Sequence, residues 1–364
     1  MSSGNGAKIA LAKIGSLYHD VNSVNLWFGF TEESLEHKLE ELEEGAITGQ
    51  RDQPNSYKGV DHGDGDLGFE PNPNALGHIL GAWYGTIASS VVTVVASNGA
   101  NSGENAGFGQ HFHRFTGSNS AFSNHTYLPP YNVAVYRDVG SAFIFKGTIF
   151  PTVKLMIKAG QLVKASATIM SRQVDLMDPT SMMGLVTSGG RPWLWDMASI
   201  EYNATGVTTA GLAANGSFEE LNFTFELPHD GVSLLDGTKK YAEFVPSDFR
   251  RVKMDGTMSF RDLDAYLAFR NYEQHRLRVT MLNVNSNLYL GNPASVDMTS
   301  FLGYPGLRIN IPGLKFTSWS AAVKGANRIT AAFNAKAERV TGETWSSAVD
   351  LLNVVPPAEY TTGL

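Results

Sequence analysis

Strict alternation of apolar and polar side chains recurs along this chain. From Leu221 to Leu227 it is unbroken: Leu221, Phe223, Phe225 and Leu227 fall on one side, and Asn222, Thr224 and Glu226 on the other. A period of two is that of an extended strand with one packed face and one wet face. The same period sets Leu277, Val279 and Met281 against Arg278 and Thr280. It also sets Ile329, Ala331, Phe333, Ala335 and Ala337 against Thr330, Asn334, Lys336 and Glu338. The pattern predicts Leu221, Phe223, Phe225, Leu227, Ile329 and Phe333 as a packing or subunit-contact face. Asn222, Thr224, Glu226, Arg278, Thr280, Thr330 and Asn334 are its wet-face counterparts. Further strands are predicted at Val133–Tyr136, Phe143–Lys146, Val153–Lys158 and Val163–Met170.

Helical spacing is rarer. Leu35, Leu39 and Leu42 within TEESLEHKLEELEE predict an acidic, solvated helix over Thr31–Glu44, capped by Thr31 and ended by Gly45. Ala75, Ile79, Leu80 and Trp83 predict a short helix behind Pro71 and Pro73, and Leu263–Tyr272 predicts another near Asp262 or Asp264. Residues 1–25 read as an arm that orders only on contact, 96–126 as a long Gly/Asn/Ser-rich loop, and 176–192 as a linker between halves.

Two phrases occur twice. DGDLGF (Asp64–Phe69) and DGTMSF (Asp255–Phe260) share Asp-Gly-x-aliphatic-x-Phe, each just before a predicted helix. Phe150-Pro151-Thr152-Val153-Lys154 matches Ile311-Pro312-Gly313-Leu314-Lys315, each leading into two alternating strands. Two matches in the same order point to internal duplication. The expected organisation is an arm (1–30), a first domain (31–180) carrying the 96–126 loop, a second domain (181–355) and a tail (356–364).

Composition narrows the function classes. The 364 residues are 43% hydrophobic and 17% charged, enough for sizeable cores with much surface left for other subunits. The net charge of −7 divides as 12 Lys+Arg against 17 Asp+Glu in residues 1–185, and 16 against 18 in 186–364. Neither half carries the basic excess that phosphate neutralisation requires. Without cysteine there is no disulfide, thiolate zinc site or Cys nucleophile. No apolar run suits a signal peptide or membrane span, so a soluble protein made in a cytoplasm is expected.

Candidate chemistry is thin. Gly63–Gly68 satisfies G-x-G-x-x-G, yet Asp64 and Asp66 stand where a pyrophosphate must approach. Asp61, Asp64 and Asp66 miss the spacing of a calcium loop and read better as a turn bonding its own backbone. His111 and His113 share one face of a strand and, with His125, are weak candidates for a metal site. Trp193 and Trp195 offer a stacking platform or, more simply, a packed strand. No catalytic motif and no cofactor is expected.

These features together resemble the phage tail tube proteins, in the family with two tandem tube domains per chain. The resemblance runs from about Leu35 to Val354. Its first half is carried by KGVDHGDGDLGFEPNPNALGHILGAWYG and LPPYNVAVYRDVGSAFIFKGTIFPTVKLMIKAGQLVKASATIM. Its second half is carried by EELNFTFELPHDGVSLLDG, MDGTMSFRDLDAYLAF and YPGLRINIPGLKFTSWSAAVKGANRITAAFNAKAERVTG, with SSAVDLLNVVPP at the close. The 96–126 insertion and its histidines depart from it.

The resemblance implies a mainly β fold with short helices, built as two tandem β-sandwich, barrel-forming domains. It implies a non-catalytic virion subunit: three chains in a pseudo-sixfold ring, rings stacked into a tail tube, and DNA passing through the lumen without specific binding. Tape-measure and tail-end proteins are the implied partners, no membrane is involved, and the subunit resides in host cytoplasm before assembly. An acidic lumen is expected to repel phosphates, and Lys154, Lys158 and Lys164 are the test of that expectation. A carbohydrate- or receptor-binding β-sandwich module is the alternative, resting on Tyr131, Trp193 and Trp195.

Overall fold

The computed structural model describes residues 6–17, 22–44, 56–91, 111–117, 128–183, 185–187, 190–203, 206–209, 212–260, 263–283, 305–321, 329–353 and 355–361. Strands are numbered along the chain. Eight of them form one antiparallel sheet across the whole molecule. Its order is β4 (Glu36–Glu43), β5 (Ser56–Phe69), β10 (Lys164–Ser171), β9 (Ala142–Lys158), β15 (Phe218–Glu226), β18 (Arg251–Ser259), β21 (Thr330–Glu338) and β20 (Gly306–Ser320). The short β3 (Glu32–Glu33) continues the pairing with β5.

β9 and β20 are long because each serves two layers. The first part of β9 pairs with β8 (Tyr131–Tyr136) and β11 (Gln173–Met177). That layer continues through β1 (Lys8–Lys13) and β2 (Leu26–Phe28) to β12 (Val186–Thr187). The first part of β20 pairs with β19 (His275–Leu282) and β22 (Ala348–Asn353). From there the layer runs to β13 (Ala198–Asn203) and β14 (Ala213–Ala214) on one side, and to β7 (His111–Gly117) and β6 (Gly85–Val91) on the other. A separate hairpin joins β16 (His229–Val232) and β17 (Glu243–Pro246). The repeated prolines sit where these long strands change partners. Pro151 and Pro312 each lie beside a register shift, where a residue without an N–H costs no ladder bond.

The core fills the space between layers. Phe69, Trp83, Tyr84, Phe115, Phe145, Phe150, Trp193, Phe223 and Phe225 are essentially unexposed. Helix α1 (Pro73–Tyr84) lies inside it, with Trp83 edge-on to Phe225 at 5.3 Å. The Asn72 side chain accepts from the amides of Asn74 and Ala75, and Pro73 takes the first-turn position whose N–H would be orphaned. Helices α2 (Thr180–Met183) and α4 (Pro357–Thr361) are short. Helix α3 (Asp264–Asn271) buries Ala265 and Ala268 and leaves Tyr266 and Leu267 exposed, with Leu263 exposed just before it.

One order of pairings occurs twice. β4, β5, α1, β8, β9, β10 and β11 follow one another in the first half; β15, β18, α3, β19, β20, β21 and β22 do so in the second. The ladders β4–β5, β5–β10, β10–β9, β9–β8 and β9–β11 match β15–β18, β18–β21, β21–β20, β20–β19 and β20–β22. The copies are not identical in register, since Gly65 faces Ile169 whereas Gly256 faces Phe333, nearer the hairpin turn.

The repeated Asp-Gly phrase acquires a physical reason here. Both copies are strand, in β5 and β18, rather than the turn expected at Asp61–Asp66. A Cβ at Gly65 would lie 2.4 Å from the Ser34 carbonyl oxygen, and one at Gly256 would lie 2.1 Å from that of Glu220. In each copy a backbone carbonyl of the preceding strand crowds the glycine, at the unshifted break between β3 and β4 and beside the register shift in β15.

Further expectations are corrected. Thr31–Glu44 is not a helix; β3 and β4 occupy it, because pairing with β5 satisfies its backbone and overrides local helix preference. Lys8–Lys13, expected within a loose arm, is instead the interior strand β1 with Ile9, Ala10, Leu11 and Ala12 unexposed. The tail closes on the body through α4, whose Tyr360 is fully buried and whose hydroxyl accepts from Asn353 Nδ2 at 2.7 Å. Within 176–192, α2 and β12 stand in place of a bare linker. Most of the 96–126 segment, including His125, lies outside the described residues.

Candidate functional site

The eight-stranded sheet has one apolar face and one polar face, and the polar face is continuous across both halves. On β15, Leu221, Phe223 and Phe225 are at most 1% exposed, and they stand level with Ile157, Leu155 and Val153 of β9 on the packed side. On the other side Glu220, Asn222, Thr224 and Glu226 stand beside Lys158, Met156, Lys154 and Thr152. The same parity carries the face through Lys253, Asp255 and Thr257 of β18 to Asn334 and Lys336 of β21 and Lys315 and Ser318 of β20. In the other direction it reaches Lys164, Ser166 and Thr168 of β10, Asp64 and Asp66 of β5, and Glu36 and Lys38 of β4.

Charges on this face are paired across strands. Lys158 meets Glu220 at 2.9 Å, Lys253 meets Glu226 at 2.6 Å and Lys38 meets Asp64 at 2.7 Å, while Lys336 meets Glu338 at 2.7 Å along β21 itself. Lysine partners hold the carboxyls of Glu220 and Glu338 below the usual range. Asn222 donates to Asp255 at 2.9 Å, Thr168 donates to Asp66 at 2.6 Å and Asn334 donates to Ser318 at 2.7 Å. Lys154 and Lys164 have no ion pair among the described residues. The face is therefore polar and charge-mixed, not acidic. The phrase aspartates bond neighbouring strands and not their own backbone, which is why a local reading of the segment missed them.

The predicted packing residues face the interior of the chain itself. Leu221, Phe223, Phe225, Leu227 and Phe333 are buried, while Ile329 is only half-buried just before β21. Among the wet-face candidates Thr330 and Asn334 are exposed, and Asn222, Thr224, Glu226 and Arg278 are half-buried. Arg278 belongs to the outer layer, where it meets Glu201 at 3.3 Å. Thr280 differs from expectation: it is 7% exposed, flanked by Ser199 and Arg308 on the two neighbouring strands.

The other candidates do not assemble into chemistry. His111 and His113 do share a strand face, with ring centroids 6.1 Å apart. His113 is fully buried and both ring nitrogens are engaged, Nδ1 with Ser89 at 2.8 Å and Nε2 with Asn353 and Val355. Trp193 is unexposed in the core while Trp195 is 46% exposed on a short 3-10 turn, so the two rings form no common platform. No helix among the described residues is long and apolar enough to cross a membrane.

Sequence reasoning missed one cluster. Asp350 of β22, wholly buried, accepts from Arg308 of β20 and Arg114 of β7 and from the Asn310 amide. Its members lie 236 and 42 residues apart along the chain, so no local signal marks it.

The tail of an empty GTA particle, refined with C6 symmetry, is 12% identical with a TM-score of 0.28, covering 44% of this chain and 97% of its own. The SPP1 tail tube is 11% identical with a TM-score of 0.27, covering 45% of this chain and 80% of its own. No curated protein sequence matches. A family model described as phage tail tube protein matches residues 4–337, nearly the whole chain. The chain belongs to the phage tail tube protein family, and is a self-associating structural subunit of the virion tail.

Proposed function

We propose that the chain is two tube domains in tandem, so that three copies close one pseudo-sixfold ring and stacked rings enclose a bore for DNA. One observation carries this reading: a single antiparallel sheet with an uninterrupted polar face spans both halves, and its pairings recur in the same order in each. Three chains of eight strands supply 24, and ~24 strands at about 4.8 Å give a barrel roughly 37 Å across before strand tilt widens it. That leaves a passage for a double helix.

The polar face is the side that suits the bore. Its lysines are largely matched by carboxylates, so the field along a passing phosphate backbone is weak. A surplus of lysines over carboxylates would hold DNA by releasing its counterions. Hydroxyls and amides keep the wall hydrated. Nothing in this arrangement asks for catalysis; the protein works by shape and assembly. Contacts with a tape-measure protein inside the tube and with proteins at its ends complete the proposal.

Electron cryo-microscopy of tubes grown from the purified chain tests it. Threefold rings with six similar domains, and the Lys158–Glu220 face inward, are the expected result. A sixfold ring of whole chains, or that face turned outward, overturns it.

A further inference from the structure

Between β14 and β15 the chain turns through Asn215, Gly216 and Ser217. Both flanks are clamped. The Asn215 amide donates to the Ile200 carbonyl at 2.8 Å, and the Ser217 carbonyl accepts from the Ser259 amide at 2.7 Å. Gly216 between them is exposed, and a Cβ there would meet nothing within 4 Å. The Asn215 side chain folds back across the Gly216 peptide: its Oδ1 accepts from the Ser217 amide at 2.9 Å and from the Ser217 hydroxyl. Among the described residues the Gly216 N–H and Asn215 Nδ2 have no hydrogen-bond partner.

We infer that this turn is a site of self-modification, at which the folded chain converts Asn215 to aspartate and isoaspartate with water as co-reactant. The Gly216 nitrogen, its proton lost to hydroxide, bonds to Asn215 Cγ. The Cγ–Nδ2 bond breaks, and Nδ2 leaves as ammonia after taking a proton from water, which restores the hydroxide. Water then opens the five-membered succinimide at either carbonyl. One opening gives aspartate; the other routes the main chain through Cγ and gives isoaspartate. The balance is one water consumed and one ammonia released, with nothing oxidised or reduced.

Each part of the turn serves that step. The folded-back side chain brings Cγ over the nitrogen that attacks it, and glycine leaves that nitrogen unshielded. Negative charge develops on Oδ1 as the bond forms, where the two Ser217 donors already point. Asn5 and Asn98, also followed by glycine, lie outside the described residues. Asn215 lines a groove of about 450 Å³ with Trp195, Asp196, Glu219 and Glu220. Conversion adds a carboxylate beside these acids. Isoaspartate also inserts a methylene into the main chain as it enters β15, the strand that pairs with β9 at the seam of the two halves.

Peptide mapping by mass spectrometry tests this on the full chain, incubated at mildly alkaline pH either folded or unfolded in urea. Asn215 should convert faster in the folded chain than in the unfolded one, giving both aspartate and isoaspartate. Ser217→Ala should slow the folded rate by about fivefold, the worth of one neutral hydrogen bond, and leave the unfolded rate unchanged. Gly216→Ala, which the open space around Gly216 accepts, should suppress conversion in both states. A native folded rate equal to or below the unfolded rate overturns the inference without recourse to any variant. Conversion at the native rate in folded S217A or G216A overturns it equally.

Discussion

Phe223 of β15 lies directly opposite Leu155 of β9, with neither side chain more than 4% exposed, and this pair sits at the seam between the two halves of the chain. Introducing a carboxylate there buries a charge among Phe225, Val153 and Met254, at a cost of several kcal/mol. Phe223→Asp should fail to fold or assemble, whereas Thr224→Asp, one residue along on the polar face, should assemble normally. Solubility and negative-stain microscopy of both variants check this; equal assembly would reverse the facing.

Glycine in the repeated phrase is required by a neighbouring carbonyl. Gly256→Ala places a methyl against the Glu220 backbone, which cannot yield without opening the β15–β18 ladder. A loss of about 1–3 kcal/mol is expected in denaturant unfolding. Gly65→Ala should behave alike, with added strain from its φ of 140°. Gly216→Ala, which meets nothing within 4 Å, is the control.

Asp350 binds arginines from both sides of β22. Asp350→Asn leaves Arg308 buried without its counter-charge, and removal of one partner of such a group costs about 3–5 kcal/mol. A large fall in melting temperature is expected, with Arg308→Met on the D350N background restoring part of it.

Burial pushes the His113 imidazole down to about 4 and that of His78 to about 3, so both are neutral in the folded chain. The unfolded chain binds their protons near pH 6.5, so it holds more protons than the native state below that value. Stability is complete above about pH 6.5 and declines as pH falls toward 4 and 3. Melting temperature measured across this window should fall less steeply for His113→Gln than for the native chain.

The balance of charge on the polar face predicts its behaviour toward DNA. Glu220→Lys with Glu226→Lys leaves Lys158 and Lys253 unmatched on the same face. Tubes of this double variant should co-sediment with DNA at low salt and release it as salt rises, while native tubes should not bind appreciably. Salt-independent binding by both would remove the link between charge pairing and free passage.

Much of the strand content was legible from residue order. Leu221–Leu227 and Ile329–Glu338 alternate because one face of each packs, and period two is visible wherever a sheet has a single wet side. The helices at Pro73–Tyr84 and Asp264–Asn271 were legible from spacing and from proline at the start of the first. Thr31–Glu44 was misread because Leu35, Leu39 and Leu42 satisfy a helical period, while the actual strand β4 is exposed on both faces and so shows no period of two. Nothing local marks Lys8–Lys13 as interior, since its partners in β8 begin more than a hundred residues later.

What this sequence determined by itself is periodicity and repetition: which stretches have two faces, and that Asp-Gly and apolar-Pro phrases return in one order. Those are short-range properties, written in neighbours a few residues apart. Tertiary structure alone decided that β9 and β15 share one sheet, that the glycines lie beneath carbonyls of the neighbouring strand, and that the lysines of β9 and β18 meet acids of β15. Such relations join residues far apart along the chain, and only the geometry of pairing brings them within bonding distance.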